Sequence, residues 1–440
     1  MSFKEFKPYP KYKDSGVEWL GKVPEHWRVM PFFTQAQERK EPNKGMLENN
    51  LLSLSYGSIV PKDINTDEGL LPESFESYQI VHPDDIVFRL TDLQNDKRSL
   101  RSAICKELGI ITSAYLVVRT QGLDSNYLNY LMRSYDVMKV FYSMGGGMRQ
   151  SIKFDDIKRL PLVVPITLEQ FAITSFLDQE TSRIDTLISE KERLISLLQE
   201  YRQALISNAV TKGLDPSVKM KDSGVEWLGE VPEHWEVKPN RAILILKKDI
   251  VGERSSFMVL LSLTLNGVKI RDIESGFGKF PESFNTYQEI KPGDLVFCLF
   301  DMDETPRTVG ISTLHGMVTG AYSVFHASKS VDPKFIFYCY LRHDFKKSLK
   351  PFYTGLRKVI QIERFNGIKT QLPPLLEQQL IASFLDRETS RIDTLISEAR
   401  KFIDLLKEYR SSLITAAVTG KINVREVVPS GSEKQDIAYE

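Results

Sequence analysis

Residues 14 to 29 read DSGVEWLGKVPEHWRV and residues 222 to 237 read DSGVEWLGEVPEHWEV, so fourteen of sixteen positions match at an offset of 208. Ser175 to Glu190 (SFLDQETSRIDTLISE) recurs at the same offset as Ser383 to Glu398, with Gln179 against Arg387 as the one difference. A chain that repeats itself at a fixed period must fold as two similar units on one plan, and its function must need both.

Each copy runs in the same order: the Trp-containing box, a mixed region of about 130 residues, then a long helix. This divides the chain into a box and mixed region over 1–165, a helix over 166–213, a second box and mixed region over 214–373, a second helix over 374–422, and a polar tail over 423–440 expected to be disordered. Short apolar runs between Gly, Pro and Asp turns read as strands, with DDIVFRL and GDLVFCL the clearest, and helical patterns follow at Tyr127 to Phe141 and Lys334 to Leu349. In the first long helix Ile173, Leu177, Ile184, Leu187, Leu194, Leu198, Tyr201 and Leu205 form an apolar seam. Ile381, Leu385, Ile392, Leu395, Phe402, Leu406, Tyr409 and Leu413 repeat it in the second. Thr167-Leu-Glu-Gln170 suits a capping box, Pro374 suits a first turn, and Gly213 and Gly420 suit helix ends. About 42 residues make a rod on the order of 60 Å long. Its apolar stripe needs a partner, and the other copy has the matching one, so an antiparallel coiled coil about a pseudo-two-fold axis is expected.

Chemistry-bearing motifs are missing. The sequence has no Walker A motif, no glycine-rich loop in a strand-to-helix context, and no Asn-Pro-Pro or Asp-Pro-Pro before an aromatic as amino-methyltransferases carry. Gly145-Gly-Gly147 lacks the helix-opening context of a phosphate cradle. Cys105, Cys298 and Cys339 have no close pairing, which argues against disulfides and zinc. His26 and His234 sit in Pro-Glu-His-Trp quartets without a second ligand at metal spacing, so packing against Trp27 or Trp235 is the favoured reading. All four tryptophans, Trp19, Trp27, Trp227 and Trp235, fall in the repeated box and are assigned to scaffold or a subunit interface, with burial favoured. No apolar run is long enough for a membrane span and the N-terminus lacks a signal-peptide core, so a cytoplasmic protein is expected.

Lys plus Arg equals Asp plus Glu at 58 each, so attraction for phosphate must be local. Arg342 to Lys369 is strongly basic, Arg133 to Arg159 is weaker in the same sense, and Lys97, Arg98 and Arg101 cluster after DDIVFRL, with Arg307 the counterpart of Arg98. Gly147-Met-Arg149 and Gly355-Leu-Arg357 occupy matching places. Arg suits bidentate contact with guanine or phosphate, and a flanking Gly allows close approach. Arg98, Arg101, Arg149, Lys153, Arg307, Lys347, Lys350, Arg357 and Lys358 are the candidate DNA contacts; the alternative for each is a solvated surface charge.

The box WLGxVPEHWxV, the Pro-x-Asp-hydrophobic-Val-Phe strands (Pro83 to Phe88, Pro292 to Phe297) and Leu-Glu-Gln opening each long helix (Leu168 to Gln170, Leu376 to Gln378) resemble the specificity subunits of type I restriction-modification systems. The resemblance runs from about Lys13 to Asn423. It implies an α+β fold of two target-recognition domains separated by two long antiparallel helices, each domain reading half of a split DNA site. It implies two modification subunits using S-adenosylmethionine and restriction subunits using ATP with Mg, and a chain that is itself neither catalyst nor cofactor carrier. A stand-alone or fused DNA methyltransferase would need about 250 further residues of catalytic domain. A coiled-coil adaptor without DNA contact would leave the two mixed regions and their basic loops without a role.

Overall fold

The computed structural model describes residues 6–64, 72, 74–91, 93, 100–144, 151–272, 281, 283–305 and 307–426. Its two compact units do not coincide with the two copies of the repeat: the first holds residues 1–190 and 401–440, the second 191–400. The long helices, Thr167–Lys212 and Leu375–Val418, are thus each divided between units. Each unit contains the first half of one and the second half of the other. Among the described residues, no helix is long and apolar enough to cross a membrane.

In the first unit four antiparallel strands lie in the order Ala36–Glu38, Leu116–Thr120, Ile86–Phe88, Ser102–Ile104. Ile86–Phe88 is buried on both faces, which explains its unbroken apolar run. Alternation sends Ile86 and Phe88 into the main core, beneath the helix Ser125–Val137, and Val87 into a smaller core with Leu52, Val81 and Ala103. The hairpin Leu52–Ser55 with Ser58–Pro61 contributes to that smaller core. Arg28–Pro31 pairs with Pro161–Val164, which delivers the Trp box to the start of the first long helix. The main core takes Ile173, Leu177 and Ile184 from that helix and Leu406, Leu413, Ile414, Ala417 and Val418 from the second.

The second unit repeats this plan with Leu244–Lys247, Ser323–Ala327, Leu295–Phe297 and Val309–Ile311. Leu295 and Phe297 enter a core with the helix Pro333–Lys346, and Val296 faces a smaller one. Here Ile206, Ala209 and Val210 come from the end of the first long helix and Ile381 and Leu385 from the start of the second. The pairing is antiparallel in both units. Arg410 Nε lies 3.0 Å from Asp185 Oδ1 in the first, and Arg202 Nε lies 3.1 Å from Asp393 Oδ1 in the second.

The seam differs in phase from the sequence reading. Ile184, Ile392 and Leu406 are buried and Leu187, Leu198 and Phe402 are half-buried, but Leu194 and Leu395 are exposed. The buried stripe of the second helix runs Ile392, Ile396, Ala399, Ile403, Leu406 and Leu413 at four-three spacing, with Arg410 filling the intervening position. Leu194 and Leu395 each precede an isoleucine (Ile195, Ile396) that is less exposed, and an apolar doublet satisfies either phase on paper. Residues 423–426, expected to belong to a disordered tail, are ordered. Val424 is fully buried, Asn423 N donates to Lys7 O and Arg425 stacks over Tyr9, while residues 427–440 lie outside the described residues.

Both long helices stop on a left-handed glycine, Gly213 at φ 77° and Gly420 at φ 71°. A Cβ at Gly420 would sit 2.6 Å from Pro24 Cγ and 3.2 Å from Trp27 Cη2. At Gly213 the nearest atom would be Glu377 Oε1 at 3.3 Å. Gly420→Ala is therefore expected to destabilise the first unit by about 2–3 kcal/mol through overpacking plus backbone strain, and Gly213→Ala by less. Denaturant midpoints of the two variants check the order; equal midpoints contradict it.

Candidate nucleic-acid interface

The candidate reading loops stand on a frame fastened at the start of each long helix. Trp27 and Trp235 are fully buried, whereas Trp19 is about one-third exposed and Trp227 half-buried. Trp27 Nε1 donates to Glu169 Oε2 at 3.0 Å, and Trp235 Nε1 donates to Glu377 Oε1 at 3.0 Å. The same carboxylates take the neighbouring imidazoles, with His26 Nε2 2.9 Å from Glu169 Oε2 and His234 Nε2 2.7 Å from Glu377 Oε2. Gln170 and Gln378 accept from Asp124 N and Asp332 N, both at 2.8 Å, and so tie down the residues that cap the helices Ser125–Val137 and Pro333–Lys346. Glu169 and Gln170 thus serve neighbouring elements, where the sequence suggested a capping box for their own helix. Tyr130 Oη to Asp178 (2.6 Å) and Tyr338 Oη to Asp386 (2.7 Å) add a second matched tether.

The second unit holds two segments together, residues 298–305 after the strand Leu295–Phe297, and a hairpin closed by pairing of Thr354 with Val359. Asp301 N donates to Arg357 O at 2.9 Å and Met302 N to Lys358 O at 3.3 Å. Arg357 Nε and Nη2 reach Asp301 Oδ1 and Oδ2 at 2.9 and 2.5 Å, and the guanidinium holds that carboxyl below the usual range. Asp344 accepts Thr308 N on both oxygens, at 3.1 and 2.9 Å, and burial raises its carboxyl. Lys347, at the left-handed end of its helix, donates to Thr305 O at 2.7 Å.

The candidate contacts therefore divide. Lys153, Lys350, Arg357 and Lys358 are exposed. Lys347 is half-buried and spends its ammonium on loop carbonyls, and the half-buried Arg307 donates to Leu265 O at the tip of the hairpin Leu261–Thr264 with Gly267–Ile270. Arg101 is corrected from surface to interior: it is fully buried, and its Nη1 donates to Thr91 O at 2.8 Å while its backbone N donates to Asp136. Arg98 and Arg149 lie outside the described residues. Three residues outside the candidate contacts also shape this region. Arg133 holds Gly57 O at the matching hairpin tip of the first unit, Asp301 partners Arg357, and Leu356 at the hairpin tip is fully exposed. A Gly-Leu-Arg-Lys string gives no sign that its leucine projects into solvent. Among the described residues no cluster of three or more His, Cys, Asp or Glu could hold a metal ion.

A family profile described as the type I restriction modification DNA specificity domain matches residues 317–401. The chain is 27% identical over 342 residues to the MjaVIII type I restriction enzyme specificity subunit of Methanocaldococcus jannaschii, covering 72% of this chain and 76% of that one. It is 26% identical over 318 residues to the putative MjaX specificity subunit of the same organism, covering 69% of each. In fold it is similar to the HsdS subunit of Thermoanaerobacter tengcongensis, with a TM-score of 0.52, 15% identity and coverage of 91% of this chain and 98% of that one. It is also similar to a chain from a structure of type I R-M complex assembly, with a TM-score of 0.65, 14% identity and coverage of 90% and 98%.

Removing Glu169 leaves a buried indole N–H without an acceptor, at a cost of about 2–3 kcal/mol for Glu169→Ala. Its side chain is 1% exposed against 29% for Glu377, so Glu377→Ala, where water can substitute, is expected to cost less. Hydrogen exchange of the Trp27 and Trp235 indole protons checks this, with the larger loss of protection at Trp27; equal losses contradict it.

Proposed function

The chain belongs to the DNA specificity subunits of type I restriction-modification systems, and on that premise we propose that its two units read the two different halves of a split, asymmetric DNA site. One observation carries this reading: the boxes, helix starts and their tethers recur at an offset of 208, while segments between box and helix differ. TDLQNDKRSLRSAI stands against FDMDETPRTVGIST, and MRSYDVMKVFYSMGGGMRQ against YLRHDFKKSLKPFYTGLRK. Equal frames accept equal partners, and unequal loops meet unequal base sequences.

In this reading Lys153, Lys350, Arg357 and Lys358, together with Arg98 and Arg149, meet the DNA. Arg307 and Lys347 shape the loop that presents them, and Arg101 serves the interior. Two copies of a modification subunit dock on the repeated helices, where Leu168 with Leu376, and Leu197 with Leu405, leave matched apolar side chains exposed. S-adenosylmethionine belongs to those subunits, and ATP with Mg to restriction subunits that join them. The work is cytoplasmic, on double-stranded DNA. This chain chooses the site and transfers no group itself.

The long helices cross from one unit to the other at residues 190–191 and 400–401. Seven residues inserted at both points preserve the seam phase and add about 10 Å, so the unread spacer is expected to lengthen by about three base pairs with both half-sites kept. Mapping N6-methyladenine in cells carrying the variant with its modification subunit tests this; a changed half-site with the old spacer contradicts it. Lys350→Ala with Lys358→Ala is expected to lower affinity alike for all sequences and to reduce the slope of log K against log salt by roughly 0.9 for each phosphate no longer neutralised. An unchanged slope removes both lysines from the backbone.

A further inference from the structure

The Arg357–Asp301 pair is more than a link between the loop and the hairpin, because Asp301 N to Arg357 O and Met302 N to Lys358 O already join them. The carboxylate occupies the Nε–Nη2 side of the guanidinium. What stays free is the outer edge formed by Nη1 and the second Nη2 hydrogen, the two-donor fork that matches guanine O6 and N7. Arg357 remains 73% exposed on its side chain despite the pair. Three residues at this junction hold left-handed backbone, Asp301 at φ 48°, Gly355 at φ 68° and Lys358 at φ 47°, two of them without glycine's freedom. Such strain is kept where surrounding structure enforces one geometry.

We propose that Arg357, oriented by Asp301, reads a guanine in the half-site of the second unit, an inference that rests on the DNA-reading role proposed above. Two arguments favour a base over a phosphate. The carboxylate neutralises the guanidinium, which weakens its attraction for an anion but leaves two directed donors for a neutral acceptor pair. A guanidinium fixed before binding also loses little freedom on meeting a base edge, and that favours discrimination between bases. Leu356, fully exposed beside it, offers apolar contact to a base and nothing to a phosphate. The residue types recur in the other copy: Leu90-Thr-Asp92 with Gly147-Met-Arg149 matches Leu299-Phe-Asp301 with Gly355-Leu-Arg357, although neighbouring loop residues differ. Asp92 and Arg149 lie outside the described residues.

The test uses the chain assembled with its modification subunits and duplexes of its mapped site in which each guanine in turn is replaced by 7-deazaguanine, which lacks the N7 acceptor. One position in the second half-site is expected to weaken wild-type binding roughly tenfold or more and to leave Arg357→Ala indifferent, with Arg357→Lys binding more weakly than the wild type on the natural site. Asp301→Asn is expected to reduce the penalty at that same position and at no position in the first half-site. Lysine keeps the charge and lacks the fork. The absence of any position that weakens the wild type while leaving Arg357→Ala indifferent, or a weakening in Arg357→Ala that is equal on every duplex, would assign Arg357 to a phosphate and overturn the proposal. A wild-type complex that selects no split site would instead remove the DNA-reading role and this inference with it.

Discussion

Neither copy of the repeated sequence contains its own complete core. The first mixed region buries Leu406, Leu413, Ile414, Ala417 and Val418 from the far end of the second copy's helix, and the second buries Ile206, Ala209 and Val210 from the first copy's helix. A buried aliphatic side chain of this kind contributes about 1.5–3 kcal/mol, so each unit draws several such contributions from the other copy. Each copy therefore needs the helix of another to complete its core. Half of the chain would expose one face of its helix and leave a gap in its core.

The exchange also fixes the places where the frame has to be identical. Glu169 and Glu377, opening the two helices, gather a buried indole and a histidine each, and the following glutamines hold the residues that cap the neighbouring helices. Arg410 with Asp185 and Arg202 with Asp393 set the register in the two units. Each arginine is largely covered and its aspartate about half exposed; such a pair does more for alignment than for stability. Around the hairpin tips the units diverge in means while keeping the end. Arg133, from a helix, holds the first tip, and Arg307, from a loop, holds the second.

The parts of this architecture that were legible in the sequence are local or repeated. Periodicity exposed the helices, glycines their ends, and the repeat the existence of two units. The seam phase was not legible where Leu194-Ile195 and Leu395-Ile396 offer two apolar residues for one inward position; pairing with the facing helix decides between them. An arginine at a seam position breaks an apolar pattern, so Arg202 and Arg410 could be recognised only with their aspartates in view. The Trp–Glu tethers join residues 142 apart, a separation over which spacing carries no signal. Arg101 was misplaced for a similar reason: its Nη1 reaches the carbonyl oxygens of Arg89 and Thr91, and every residue has such an acceptor.

In the proposed reading the matched frame is interchangeable and the unmatched segments carry specificity. The most direct measurement is an N6-methyladenine map from cells expressing the modification subunit with a chimera in which residues 240–368 are replaced by residues 32–160. The expected map shows a symmetric site, with the first half-site facing its own inverse across the original spacer. A map that kept two different half-sites would contradict it.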